Sequence, residues 1–199
     1  MADYADERGW TYPDSYVLSR WSQNRLFNYY VSGESESYRY AQDNYGAFIS
    51  TDRPAEWYDR LDDDRVGFVV IESISPRRNT LQQHLYVTYG SRWENYEAVS
   101  HYRAVYASAS QRTKVFVLVP GARVDSQVAA NTTVELRTTV EVPNDSFTYR
   151  TRVTADANGS YQATVPYPGE YELQWGNRTT TVTVPESAVE NGTGVQAGS

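Results

Sequence analysis

The spacing of apolar and polar residues changes character near residue 120. Upstream of it the periods are mixed. Downstream the segments are short, alternating and rich in Thr and Val. In the first part, Asp14–Tyr30 fits either a strand or a helix. Ser35–Ile49 reads as a helix: Ser35 is a candidate cap, and Tyr38, Ala41, Tyr45 and Phe48 recur at helical spacing. Pro54 opens a second short helix through Leu61, at a first-turn position where its missing N–H costs nothing. The run Asp62–Asp64 breaks that pattern. Arg65–Glu72 (RVGFVVIE) is continuously apolar, the mark of a strand covered on both faces. Thr80–Tyr89 reads as a helix. Tyr96–Ala107 and Thr113–Val119 read as a paired β-unit joined through Ser108–Arg112.

Pro120-Gly121 marks the boundary. Beyond it, strands are expected at Arg123–Gln127, Thr132–Val142, Phe147–Ala155, Tyr161–Pro166, Tyr171–Trp175 and Thr179–Val184. The turns between them carry Pro143-Asn144-Asp145, Asn158-Gly159, Pro168-Gly169 and Gly176-Asn177, residues that tolerate positive φ or hold it negative. In TVELRTTVEV, Val134, Leu136, Thr138 and Val140 share one face, and Glu135, Arg137, Thr139 and Glu141 the other. Such a strand packs on one side and is wet on the other. The expected fold class is therefore α+β. A mixed α/β unit (1–120) is followed by an antiparallel β-sandwich (121–186) and a polar, Gly-rich tail (187–199) expected to be disordered.

Composition narrows the function classes. The 199 residues carry a net charge of −7, and their 18 basic residues include a single lysine, Lys114. An acidic chain lacks the basic footprint that a nucleic-acid binder needs. An acidic, lysine-poor surface suits solubility in high salt and points to a halophile. Without cysteine there is no disulfide and no thiolate metal site. No run approaches the roughly 20 apolar residues of a membrane-spanning helix. The opening MADYADERGW has no apolar signal core, so an exported form would be a piece of a longer, targeted protein.

Five Asn-X-Ser/Thr triplets, at Asn131, Asn144, Asn158, Asn177 and Asn191, all lie beyond residue 130. Most fall in expected turns or in the tail, where a glycan fits, and they point to an extracellular face. Catalytic constellations are sparse. His84 and His101, without cysteine partners, read as structural histidines rather than zinc ligands. Asp62–Asp64 lacks the alternating spacing and glycine of a calcium loop. Ser32–Ser35 lacks the glycine flanks of a nucleophile elbow. Nothing fixes a separation between the carboxylates of Glu34 and Glu36. The stretch from Tyr16 to Tyr30 is aromatic, amide-rich and basic; it reads as a rim for a peptide or glycan, or as a partly buried first element.

Several segments together resemble the soluble C-terminal region of the catalytic subunits of archaeal oligosaccharyltransferases, those of haloarchaea in particular. They are Val66–Ile71 (VGFVVI), His101–Tyr106 (HYRAVY), Lys114–Ala122 (KVFVLVPGA), Phe147–Tyr149, Ala155–Tyr161 (ADANGSY) and Val165–Tyr171 (VPYPGEY). The resemblance implies a membrane enzyme that moves a glycan from a dolichol-phosphate carrier to the Asn of a sequon with a divalent metal, Mn or Mg. It places the metal ligands in loops outside this chain, which would hold no cofactor and have no activity alone. It implies an outward-facing acceptor-peptide site built on a Trp-Trp-Asp-Tyr-Gly motif. The counterpart here is Arg20-Trp21-Ser22-Gln23-Asn24, in which only Trp21 is retained. Trp21, Ser22, Gln23 and Asn24 are thus the candidate peptide-binding residues. The alternative is a non-catalytic cell-surface binding or structural module of a halophilic archaeon.

Overall fold

The computed structural model describes residues 1–33, 38–72, 80–94 and 96–198. The chain divides into two compact units, one of Met1–Val87 with Ala104–Leu118, the other of Thr88–Arg103 with the chain from Val119 onward. The expected α+β class is what is found: helices gather in the first unit and the second is rich in sheet.

The first unit holds the helices α1 (Ala2–Glu7), α2 (Trp21–Ser32), α3 (Arg39–Ser50), α4 (Pro54–Asp63) and α5 (Leu81–Thr88). Its strands are β1 (Tyr16–Leu18), β2 (Val66–Glu72), β3 (Tyr102–Ala107) and β4 (Thr113–Leu118), in the order β1-β2-β4-β3. β1 runs parallel to β2, and β4 antiparallel to it. Val66–Ile71 is buried without a break, as its continuous apolar run requires. Tyr4 and Trp10 pack edge-on against Phe68, with ring centroids 5.8 and 5.6 Å away. The Tyr45 hydroxyl on α3 donates to the Val70 carbonyl at 2.8 Å. Gly67 is demanded by close approach: a Cβ there would lie 2.3 Å from the Asp14 carbonyl oxygen. The ambiguous segment Asp14–Tyr30 resolves into both alternatives in turn, a three-residue strand and then a helix. α3 starts at Arg39, and the proposed cap Ser35 lies outside the described residues, as do Glu34 and Glu36.

The second unit is built from β5 (Ala122–Gln127), β6 (Thr133–Val142), β7 (Asp145–Thr154), β8 (Ser160–Val165), β9 (Gly169–Trp175) and β10 (Arg178–Val184). These six strands lie close to the expected segments because alternation and turn residues mark both ends of each. They form a four-stranded antiparallel sheet, β10-β9-β6-β7, and part of a second sheet. Val134 and Leu136 are fully buried while Glu135 and Arg137 are not, as the alternation requires. Tyr149, Tyr167 and Tyr171 are almost wholly buried. Their hydroxyls donate to the Val99, Tyr89 and Tyr167 carbonyls at 3.3, 3.2 and 3.0 Å, so each of these three phenols is paired.

The tail departs from its expected disorder. Glu186–Asn191 is a short helix, α6, and Gly194–Gln196 is a strand, β11, which pairs in parallel with β5 and completes the second sheet, β11-β5-β8. Val189 is fully buried and Ala188 nearly so, and the Val189 and Thr193 carbonyls accept from the Gly121 and Arg123 amides at 3.0 Å each. The polar composition is misleading because three small apolar residues, Ala188, Val189 and Ala197, carry the burial, while the backbone supplies the rest.

Candidate functional site

The stretch Tyr16–Tyr30 folds as β1, a two-residue link and α2. β1 is an edge strand, hydrogen-bonded in the sheet only to β2. Its other edge would leave a buried N–H and C=O without partners. Two side-chain amides of α2 take that place. Asn28 accepts from the Val17 N–H (2.9 Å) through Oδ1 and donates to the Val17 carbonyl (3.0 Å) through Nδ2. Asn24 Nδ2 donates to the same carbonyl at 2.7 Å, and its Oδ1 accepts from the Tyr16 hydroxyl at 3.2 Å. The spacing of four residues puts both amides on one face of the helix. Asn24 and Asn28 are 2% and 4% exposed.

This geometry divides the four candidate residues. Trp21 and Ser22 open α2 and are exposed; Gln23 is half-buried. Asn24 is a correction. Its side chain is committed to Val17, Ser19 and Tyr16 and has no surface from which to meet a ligand. The α2 N-terminus has no side-chain cap, and in its first turn the Gln23 N–H donates to the Arg20 carbonyl at 2.9 Å. The Trp21 ring lies 5.8 Å from that of Tyr38 at 40°, and both are substantially exposed. Tyr38 sits at the N-cap of α3, not on its buried face as the helical spacing suggests. Leu26, Tyr29 and Tyr30 extend the exposed apolar surface of α2. Trp21 and Ser22 thus present an indole and a hydroxyl to solvent at the start of α2, with the Gln23 amide half-buried beside them. Beneath them, burial pushes the Tyr16 phenol up to about 12, against the opposing pull of its Asn24 bond. Tyr40, 5.7 Å from Tyr16, is also raised, first by burial and then by its hydrogen bond to Asp64.

Sequence reasoning missed Asn28 as a partner of this site. The signal was there: two Asn four apart in a helix, where neither is a favoured interior residue.

The remaining candidates fall elsewhere. His101 Nδ1 lies 3.2 Å from the Val119 carbonyl, a structural contact. Asp62 and Asp63 end α4, and Asp64 accepts from the Tyr40 hydroxyl. Among the described residues no group of three or more His, Asp or Glu lies together to hold a metal ion. No helix among the described residues is long and apolar enough to cross a membrane. Asn131, Asn144, Asn158, Asn177 and Asn191 are all exposed. Asn131 and Asn144 sit at positive φ in turns, and the Asn191 amide donates to the Ser187 carbonyl at 2.7 Å.

No curated protein matches the chain in sequence. Residues 121–195 match the family model of the archaeal glycosylation protein B long peripheral domain. Among solved structures, the archaeal oligosaccharyltransferase AglB from Archaeoglobus fulgidus, in complex with an inhibitory peptide and a dolichol-phosphate, matches 93% of this chain at a TM-score of 0.72 and 16% identity. The Archaeoglobus fulgidus oligosaccharyltransferase tethered by a disulfide to an acceptor peptide containing the NVT sequon gives the same values. Its complex with Zn and sulfate gives a TM-score of 0.69 at 16% identity, again over 93% of this chain. The chain spans about two fifths of their length, 38% to 41%. The sequence signature of an archaeal glycosylation protein B peripheral domain thus covers the sheet-rich part of the chain, and the shared fold extends to most of the rest.

Proposed function

We propose that this chain is the peripheral part of an archaeal oligosaccharyltransferase and that the first turn of α2 helps to hold a sequon-containing acceptor peptide. The observation that carries the reading is the exposure of Trp21 and Ser22, with Gln23 half-buried beside them, two residues after a buried strand. It is supported by a fold shared with archaeal enzymes described with bound peptide and dolichol-phosphate. In the reaction, the sequon Asn Nδ2 forms a bond to the anomeric carbon of the glycan. The bond from that carbon to the lipid phosphate breaks, the phosphate leaves with the electron pair, and the amide gives up a proton. This chain's part is to grip the hydroxyl of the sequon Ser or Thr, with the Ser22 hydroxyl and Gln23 amide as partners and the Trp21 ring as cover. The transfer itself, with the Mn or Mg expected of the complete enzyme, falls to the rest of the protein.

The same reading puts the chain on the outer face of the cell membrane of a haloarchaeon. The exposed sequons and the acidic surface with one lysine support that placement. The five Asn are then acceptors of the same chemistry. The test is Trp21→Ala in the full-length protein, assayed in membranes for transfer to a sequon peptide. Loss of one aromatic contact of about 1.5–3 kcal/mol should raise the peptide KM roughly tenfold to a hundredfold. Unchanged transfer would refute the assignment and favour a non-catalytic surface module.

A further inference from the structure

We propose that Asn24 and Asn28 are positioning residues for this same site, fixing the first turn of α2 so that Trp21, Ser22 and Gln23 face outward in a set orientation. The inference rests on the peptide-binding reading above and adds the device that holds the site in place.

The chain leaves β1 at Leu18 and enters α2 at Trp21, so only Ser19 and Arg20 intervene. A link that short sets where the helix begins but leaves its rotation about its own axis open. The rotation decides whether residue 21 points at solvent or at the sheet. Apolar packing alone would fix it loosely, because such contacts are non-directional. The two amides fix it with directional bonds. Asn28 grips both main-chain groups of Val17, and Asn24 grips the Val17 carbonyl from one turn nearer the site. Asn28 Nδ2 also donates to the Asn24 carbonyl at 2.9 Å, tying the two grips together. The upper turn is held further by the Asn24 contact with Ser19, inside the link itself.

The choice of residue carries the argument. Both positions are almost fully buried, where an apolar side chain would be the ordinary solution. Asn is a poor helix former and costs free energy to bury unless every polar atom is paired. Two of them facing one strand residue yield little net stability over apolar packing, but they allow only one helix rotation. That is the property a binding turn with a single retained tryptophan requires.

The test is steady-state kinetics of Asn24→Ala and Asn28→Ala in the full-length protein, with sequon peptide and lipid-linked glycan varied separately. The expected result is a peptide KM raised about tenfold or more, because a displacement on the order of 1 Å at a binding group has effects of that size or larger. KM for the lipid-linked glycan should hold, and so should kcat at saturating peptide. A fall in active enzyme with unchanged peptide KM means the amides only stabilise the fold, and it overturns the proposal. If Asn28→Ala does not fold, Asn24→Ala carries the test, since Val17 then keeps both of its Asn28 bonds. Trp21→Ala separates the two levels. If it raises the peptide KM and the Asn variants do not, the positioning role fails alone. If it does not, the binding reading fails with it.

Discussion

The amide pair also predicts an asymmetry in stability that can be worked from its bonds. Asn28→Ala removes the Val17 N–H acceptor at 2.9 Å and donors to the Val17 and Asn24 carbonyls. The Val17 carbonyl still has Asn24, but the Val17 N–H is left at a fully buried position with no acceptor. An orphaned buried donor costs about 1–3 kcal/mol and the two lost donor bonds about 1 each, so a loss of about 3–5 kcal/mol is expected. Asn24→Ala removes a 2.7 Å bond to a carbonyl that Asn28 still serves. It also removes the Asn24 acceptor from Tyr16, and the expected cost is about 1–2 kcal/mol. In the double variant the Val17 carbonyl loses both partners. The two effects should therefore exceed additivity by about 1 kcal/mol or more. Urea unfolding measures all three, with fluorescence from Trp10, Trp21 and Trp57 in the same unit as the reporter. An Asn24 variant as costly as the Asn28 variant would refute the account of the Val17 edge. So would a simply additive double variant.

Buried phenols and the ordered tail each carry a further consequence. Burial raises Tyr16 to about 12 and holds Tyr45, Tyr149 and Tyr171 above their usual value of 10.0. A raised phenol keeps its proton in the folded chain while the unfolded chain releases it. Stability should therefore be level below pH 10 and fall between about pH 10 and 12, by about 1.4 kcal/mol per pH unit for each such tyrosine. Tyrosinate absorbance should rise late and together with unfolding; a full rise from the native chain at the ordinary phenol value would contradict the burial. Removal of residues 186–199 should free the Gly121 and Arg123 amides, now bonded to Val189 and Thr193. Hydrogen exchange should show both lose protection, and unchanged protection would refute the ordered tail.

What the sequence determined by itself was the set of elements with a strong local period. Val66–Ile71 reads as a doubly covered strand because six buried residues in a row leave no wet face. β6 to β10 are legible because alternation and turn residues specify each strand and its ends without distant partners. Trp21 lies exposed in the stretch that the sequence left open as a rim or a partly buried first element. Tertiary structure decided the rest. Whether Asn24 faces a ligand or Val17 depends on the rotation of α2 against β1, a contact between elements that no local period encodes. Asn28 and Tyr38 gain their meaning from the same packing. The tail became a helix and a strand because the edge of β5 was there to receive it. The segment Thr88–Arg103 joined the sheet-rich unit across a sequence boundary that composition places at residue 120. In each case a local signal was weak or ambiguous, and a partner distant in sequence supplied the free energy that chose between the alternatives.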